Sequence, residues 1–214
     1  MQEYSHVLWD WNGTLLNDVA WCMNTVNTML GRRGLPAIET LEVYRRVFCF
    51  PIVDYYRSVG FDFEKESYDD LAVEFVELYH CKEHGYSLFP EVKGVLAELK
   101  DKGVSQLILS ASELGILKSQ AKALGIDSYF EEILGISDYR AASKLDLALA
   151  YMKRAKPEKA ILVGDSVHDK EVADAMGIDC VLIANGHQAR DTLLSSGAAV
   201  VDSFYDLPFV DERR

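Results

Sequence analysis

The sequence predicts an α/β protein: a parallel sheet with helices on both faces, interrupted near its start by an all-helical insertion. Three observations predict it. A short apolar run, Ser5-His6-Val7-Leu8-Trp9, gives way at once to Asp10-Trp11-Asn12-Gly13-Thr14, the pattern of a buried strand that ends in a turn. After Pro90, apolar runs of strand length alternate with stretches of helical spacing, which calls for crossover connections and a parallel sheet. Between these regions the strand signals fade and apolar residues recur only at helical spacing.

Taken in order, the insertion holds helical segments near 18–32, 39–48, 51–58 and 64–84, punctuated by Gly31, Gly34, Pro36, Pro51 and Gly60. The second region predicts a helix over 91–102, a strand over 105–109, a helix over 113–124 and a short strand near 132–135. A helix over 143–156, a strand over 160–164, a helix over 168–176 and a strand over 180–183 follow, and a short helix leads to a last strand near 198–201. The first strand must join the same sheet, so residues 1–15 and 89–214 form one core domain and 16–88 a helical cap.

The composition narrows the function. In 214 residues, 49% are hydrophobic and 26% charged, with a mean hydropathy of −0.03, which is the make-up of a chain that folds. No apolar stretch of membrane-spanning length occurs, and the first residues lack a secretory signal pattern, so a cytoplasmic location is expected. Four cysteines, Cys22, Cys49, Cys81 and Cys180, form no C-x-x-C pair and read as buried reduced thiols, not as a zinc site or disulfide framework. A net charge of −12 with basic residues only in short pairs such as Arg32-Arg33 argues against a nucleic-acid partner.

In open parallel sheets ligands bind beyond the carboxyl ends of the strands. Asp10-Trp11-Asn12-Gly13-Thr14 follows the first strand, Ser110-Ala111-Ser112 the second, and Gly164-Asp165-Ser166-Val167-His168-Asp169 the strand near 160–164. Lys144 stands where the helix before that strand begins. Two or three carboxylates, a hydroxyl and an ammonium thus meet at one sheet edge. Carboxylates gathered without a cation raise one another's pKa, so a hard metal resolves the repulsion, and oxygen ligands at an open site suit Mg²⁺. Lys144 and Ser110 then suit a phosphoryl group. Each residue alone has a plainer reading: Asp10 and Gly13 as turn residues, Asp165 and Asp169 as caps of the following helix, and Ser112 as an N-cap before Glu113. His168 and His187 read as bystanders near the site.

The four ordered motifs resemble those of the haloacid dehalogenase superfamily, and in spacing and cap position the phosphoglycolate phosphatase-like branch. The resemblance covers nearly the whole chain and implies a Rossmann-like core, a helical cap and Mg²⁺-dependent hydrolysis of a small phosphomonoester. It implies Asp10 as the nucleophile that forms an aspartyl-phosphate, and Mg²⁺ held by the Asp10 carboxylate, the Asn12 carbonyl and Asp165. Asp169 would orient metal-bound water or Lys144. Ser110, the amides of Ala111 and Gly13, and Lys144 would hold the transferring phosphoryl group.

One departure matters. Family phosphatases carry a second Asp two residues after the nucleophile as acid and base; here it is Asn12, whose amide cannot shuttle a proton near neutral pH. The expectation is slow turnover, or a preference for leaving groups that need little protonation, with a phosphometabolite-binding protein or a phosphotransferase as alternatives. The metal-free dehalogenases carry an aromatic residue at the position of Asn12, so the match fails there. Phosphonoacetaldehyde hydrolases need an early cap lysine for an imine, whereas the first lysine here is Lys65 and the early cap offers arginines. In the cap, Tyr44-Arg45-Arg46-Val47-Phe48-Cys49-Phe50-Pro51 is the candidate specificity loop, with Arg45, Arg46 and Phe48 toward substrate. The competing reading buries Phe48 and Phe50 in the cap and pairs Arg45 or Arg46 with Glu42 or Asp54. The chain is expected to be a monomer or homodimer, with Trp21, Tyr55 and Tyr56 as interface or core residues.

Overall fold

The computed structural model describes residues 4–80, 87–136 and 143–211. Six strands form one sheet in the order β3-β2-β1-β4-β5-β6: β1 (His6–Trp9), β2 (Ser105–Glu113), β3 (Glu132–Ile136), β4 (Ala160–Gly164), β5 (Asp179–Ile183) and β6 (Ala199–Val201). Every pairing is parallel. The order reverses at β1, which lies between β2 and β4. A crevice at that switch point is where such sheets place ligands.

The alternation of side chains along β1 explains why both faces need cover. Val7 and Trp9 join an apolar layer with α5 (Val92–Asp101) and α6 (Leu114–Ala123). Leu8 joins the opposite layer with Tyr151 of α7 (Lys144–Ala155) and Val172 and Ala173 of α8 (Val167–Met176). A final helix, α9 (Arg190–Ser195), precedes β6.

Between β1 and α5 lie α1 (Val19–Arg32), α2 (Leu41–Val47), α3 (Ile52–Ser58) and α4 (Tyr68–Tyr79). They bury their own apolar centre, in which Val26, Met29, Leu30, Tyr44, Tyr55 and Leu71 meet. Tyr55 and Tyr56 are 2% and 3% exposed and belong to this centre, so they offer no surface to a second copy. Trp21 is half-buried and donates to the Tyr79 carbonyl at 3.1 Å. No helix among the described residues is long and apolar enough to cross a membrane.

Two element boundaries differ from expectation for physical reasons. The predicted 64–84 helix is Tyr68–Tyr79, because Ser67 accepts the Asp70 amide and starts it. Asp62 accepts the Glu64 amide and holds the preceding residues in a turn. Residues 81–86, which the prediction also covered, lie outside the described residues, as does Cys81. Strand β2 continues past Leu109 to Glu113 with a register shift against β3. Glu113, not Ser112, is the N-cap of α6, its carboxylate accepting the amides of Gly115 and Ile116 at 2.8 and 2.7 Å. The Ser112 hydroxyl is committed elsewhere. Of the other cysteines, Cys22 is buried while Cys49 and Cys180 are partly exposed, and all three are free thiols.

Candidate active site

The turn after β1 is built before any chemistry is added. Trp11 is fully buried and donates to Gln120 Oε1 at 2.9 Å, which anchors the segment to α6. The Leu16 amide returns to the Trp11 carbonyl at 2.8 Å and the Gly13 amide to the Leu16 carbonyl at 3.0 Å, closing a tight loop. That loop leaves the Asp10 carboxylate at the sheet edge, 8% exposed. The first residue of α7, Lys144, reaches it: its ammonium bonds Asp10 Oδ1, and Asp169 Oδ1 at 2.6 Å. Ser143 caps that helix through a reciprocal pair with Asp146, which fixes where Lys144 emerges.

Asp165 and Asp169 come from the β4–α8 junction. Ser166 and Asp169 form a capping box, and Asp169 Oδ2 accepts from the Ser166 hydroxyl at 2.6 Å, the Ser166 amide at 3.1 Å and the Asp165 amide at 3.2 Å. The helix-cap reading of Asp169 is therefore correct for one oxygen, while the other faces Lys144. Asp165 Oδ2 accepts the His187 amide at 2.5 Å. One oxygen each of Asp10, Asp165 and Asp169 lie within 4.8 Å of one another.

Two glycines make this convergence possible. A Cβ on Gly186 would stand 2.0 Å from Asp165 Oδ2, and one on Gly13 would stand 2.3 Å from the same atom and 2.4 Å from the His187 ring. Gly13 also has φ +73°, a conformation that other residues adopt only at a cost. Any side chain at either place would push Asp165 out of the cluster.

Burial is the dominant electrostatic fact. It pushes the Asp10 carboxyl up to about 6, with Asp169 adding to the rise and Lys144 opposing it. Burial likewise raises Asp165, to about 7, reinforced by Asp10 and Asp169 against the pull of His187. Burial also acts on Asp169 and Lys144, but Lys144 outweighs it at Asp169, and Asp10 and Asp169 together outweigh it at Lys144, so Asp169 stays below its ordinary value and Lys144 above. The arrangement is one cation short. The single Thr14 hydroxyl faces both Asp10 Oδ2 at 3.2 Å and Asp165 Oδ1 at 3.5 Å, and its one proton can satisfy only one of them. A divalent ion between Asp10 and Asp165 fits this donor set, with all-oxygen ligands and incomplete neutralisation.

The remaining expected residues fall around this centre. Ser110 is buried, its hydroxyl accepting the Ser112 amide at 3.0 Å, while Ala111 is exposed. The Gly13 amide, expected toward the phosphoryl group, donates to Leu16 and, at 2.8 Å, to Asp18 Oδ1. The Asn12 side chain donates from Nδ2 to Asp18 Oδ2 at 2.7 Å and to the Tyr79 hydroxyl at 3.0 Å, and its Oδ1 accepts the Ser112 hydroxyl at 2.9 Å.

The cap closes over these groups. Arg45 directs its guanidinium to the carbonyls of Gly186 and Asn185 at 2.8 and 2.9 Å, and its own carbonyl accepts the Ala189 amide at 3.0 Å. Arg46 pairs with Glu42 on the surface, and Asp54 with Arg57. Phe48 stacks on the His187 ring at 5.0 Å between centroids.

Two residues of this site, Asp18 and Tyr79, escaped the sequence reading, and a third, His187, is no bystander. His187 is buried in the site, its Nδ1 against the Tyr44 hydroxyl at 2.9 Å and its Nε2 3.5 Å from Asp18 Oδ1. Asp18 stands at the N-cap of α1 but makes no cap bond, having turned back to the loop after β1. Tyr79 arrives from α4 and donates to Asp18 Oδ2 at 2.7 Å. An Asp at a helix start reads as a cap from sequence, and nothing local distinguishes one that faces backwards. His168 sits apart, against Glu171 and Phe50.

This fold and site correspond to a known class. Residues 7–183 match the sequence model of the haloacid dehalogenase-like hydrolases, and the chain belongs to that family. Within it the chain stands among phosphatases and one protein named as a kinase. It is 26% identical to a phosphoglycolate phosphatase of Yersinia pestis over 94% of this chain and 90% of the relative. It is 28% identical to the tyrosine-protein kinase PtkA of Mycobacterium tuberculosis (strain ATCC 25618 / H37Rv) over 91% of this chain and 67% of the relative. The PtkA structure superposes with a TM-score of 0.80 at 23% identity, covering 97% of both chains. CbbY of Rhodobacter sphaeroides, solved with phosphate, superposes at 0.72 with 19% identity over 96% of this chain and 97% of that one.

Proposed function

We propose that this protein is an Mg²⁺-dependent hydrolase of small phosphomonoesters that acts through an aspartyl-phosphate on Asp10. The observation that carries the reading is the buried convergence of Asp10, Asp165 and Asp169 on Lys144 at the switch point of the sheet. Asp10, the Asn12 carbonyl and Asp165 would hold Mg²⁺, which when bound supplies charge neutralisation for an incoming phosphate.

This chain's own residues do the rest. Lys144 holds Asp10 Oδ1 and Thr14 holds Oδ2, so the carboxylate keeps one orientation, from which an oxygen attacks phosphorus in line. The bond to the leaving oxygen breaks as the Asp10 oxygen–phosphorus bond forms, and water then cleaves the acyl phosphate, returning Asp10 and phosphate. Ser110, the Ala111 amide and Lys144 suit the phosphoryl oxygens, while Gly13 supplies clearance. Asp169 positions Lys144. Phe48, stacked on His187, lines the cap side, and Arg45 acts on specificity by holding the cap against the 185–189 loop. The action is expected in the cytoplasm on a soluble small molecule.

Asn12 carries no transferable proton, so leaving groups that depart unprotonated are favoured, acyl and aryl phosphates above alkyl ones. The same residue supports a second reading, phosphoryl transfer to an acceptor other than water, which the likeness to PtkA also favours. Phosphate release from acetyl phosphate and p-nitrophenyl phosphate, with and without Mg²⁺, tests both. Release that needs Mg²⁺ and vanishes in Asp10→Asn supports hydrolysis. Undiminished release by Asp10→Asn sinks it, and a new phosphoester in place of inorganic phosphate selects transfer.

A further inference from the structure

Asp18 is a buried carboxylate that no step above uses, and it collects donors from both the loop after β1 and the helical insertion. Its Oδ1 accepts the Gly13 amide at 2.8 Å and lies 3.5 Å from His187 Nε2. Its Oδ2 accepts Asn12 Nδ2 and the Tyr79 hydroxyl, both at 2.7 Å, and the Cys22 thiol at 3.4 Å. Two of these donors, Asn12 and Gly13, are consecutive residues of the nucleophile loop. Two others tie the carboxylate to the cap: Tyr79 directly, and His187 through the Tyr44 hydroxyl.

We propose that Asp18 is the positioning residue of the nucleophile loop, seating Asn12 and Gly13 together, and that this seat is what selects an amide over a carboxylate at position 12. The juxtaposition of donors and acceptors carries the argument. An ionised carboxylate only accepts, so the atom of residue 12 that faces Asp18 Oδ2 at 2.7 Å must be a donor. Asn12 meets this demand and has its oxygen left for the Ser112 hydroxyl. An Asp at position 12 would set acceptor against acceptor beside the buried Asp18 carboxylate.

The converse holds for position 18. In Asp18→Asn alone, an amide with its oxygen toward Gly13 sets its Nδ2 against the Nδ2 of Asn12 unless Asn12 turns over and donates to Ser112 instead, and with the amide reversed its Nδ2 meets the Gly13 N–H; in either case the charge that the Gly13 amide and His187 face is lost. Exchanging both residues restores the matches at Asn12 and Gly13, while Cys22 and His187 face an amide in place of the carboxylate. In the double variant Oδ1 of residue 18 accepts the Gly13 amide, Nδ2 of residue 18 donates to the new carboxylate at 12, and Ser112 and Tyr79 still have acceptors.

The inference uses the phosphatase reading for only one of its readouts. The experiment is a double-variant cycle on the full chain: Asn12→Asp, Asp18→Asn and the exchange of both, followed by thermal unfolding, by Mg²⁺ affinity from calorimetry, and by kcat and KM on acetyl phosphate. Leaving a buried polar group unmatched is worth about a tenfold loss. Each single variant is expected to lower kcat about tenfold at nearly constant KM, to lower Tm and to weaken Mg²⁺ binding. The exchange is expected to recover all three, and to reach or exceed wild-type kcat, because it also places a carboxylate at position 12. A merely structural role would restore Tm without restoring kcat or Mg²⁺ affinity. The proposal is overturned by additive losses in the exchanged variant, or by Asn12→Asp alone keeping wild-type Tm while raising kcat. If no form releases phosphate, the phosphatase reading fails by itself, and recovery of Tm and Mg²⁺ affinity in the exchange still supports the seat.

Discussion

Lys144 and Asp165 show what burial demands of single residues. The Lys144 ammonium is the only cation bonded to both Asp10 and Asp169 among the described residues, and all three side chains are nearly closed to solvent. Removing one partner of a buried pair leaves an uncompensated charge, at about 3–5 kcal/mol. Lys144→Met is therefore expected to lose stability on that scale in denaturant unfolding at pH 7 without Mg²⁺; a loss below about 1 kcal/mol would show that water reaches the pair. Asp165 makes the opposite prediction. Its native carboxyl titrates at about 7 and its unfolded one near 4, so between those values the native state holds the extra proton and stability falls as pH rises. Asp165→Asn removes this slope. Its stability relative to wild type should grow from pH 4 to pH 7 in metal-free buffer, and saturating Mg²⁺ should cancel the gain by stabilising wild type alone. A pH-independent difference would contradict the buried-carboxylate account.

At the scale of elements, helix starts deliver the chemistry. The α7 cap places Lys144 and the α8 capping box places Asp169, so a local rule of helix termini sets the geometry of the proposed site. Ser166 serves both ends of this relation, since its hydroxyl receives the Asp169 amide and donates to the Asp169 carboxylate. Ser166→Ala should cost about 1 kcal/mol, the usual loss for an N-cap, and should also lower kcat because Asp169 then holds Lys144 less firmly. A stability loss with unchanged kcat would confine Ser166 to the helix. Cap positions were readable in the sequence as a class, but their assignment was not always. Ser112 and Glu113 are both good cap residues. Glu113 took the role because the Ser112 hydroxyl had a partner 100 positions earlier in the chain, at Asn12.

For the molecule as a whole, the relation of cap to core decides access. Asp10 is covered, and the cover is fastened by Arg45 on two carbonyls of the loop after β5 and by Phe48 and Tyr44 on His187. On the proposed function, substrate enters while those contacts are open and water is excluded when they close. Arg45→Ala removes the guanidinium bonds and leaves the two apolar centres intact. It should speed amide exchange at Ala189, whose N–H donates to the Arg45 carbonyl, while changing the unfolding midpoint little. Unchanged exchange at Ala189 would mean that the ring contacts alone hold the cap.

The parallel sheet, the helical insertion and the three strand-end motifs were legible in the sequence because each depends on local patterning, on period 2 or 3.6 and on turn residues directly after apolar runs. Asp10, Lys144, Asp165 and Asp169 stood out through their order along the chain, and the sheet brought them together at the switch point. The surroundings of Asn12 were not legible. Asp18, Tyr79 and His187 are 6, 67 and 175 positions from it; the first two belong to no motif, and His187 reads as a bystander. The sequence by itself determined which chemistry could be assembled; tertiary structure decided which polar atoms face one another, because a buried carboxylate takes donors from wherever the closing cap and core supply them.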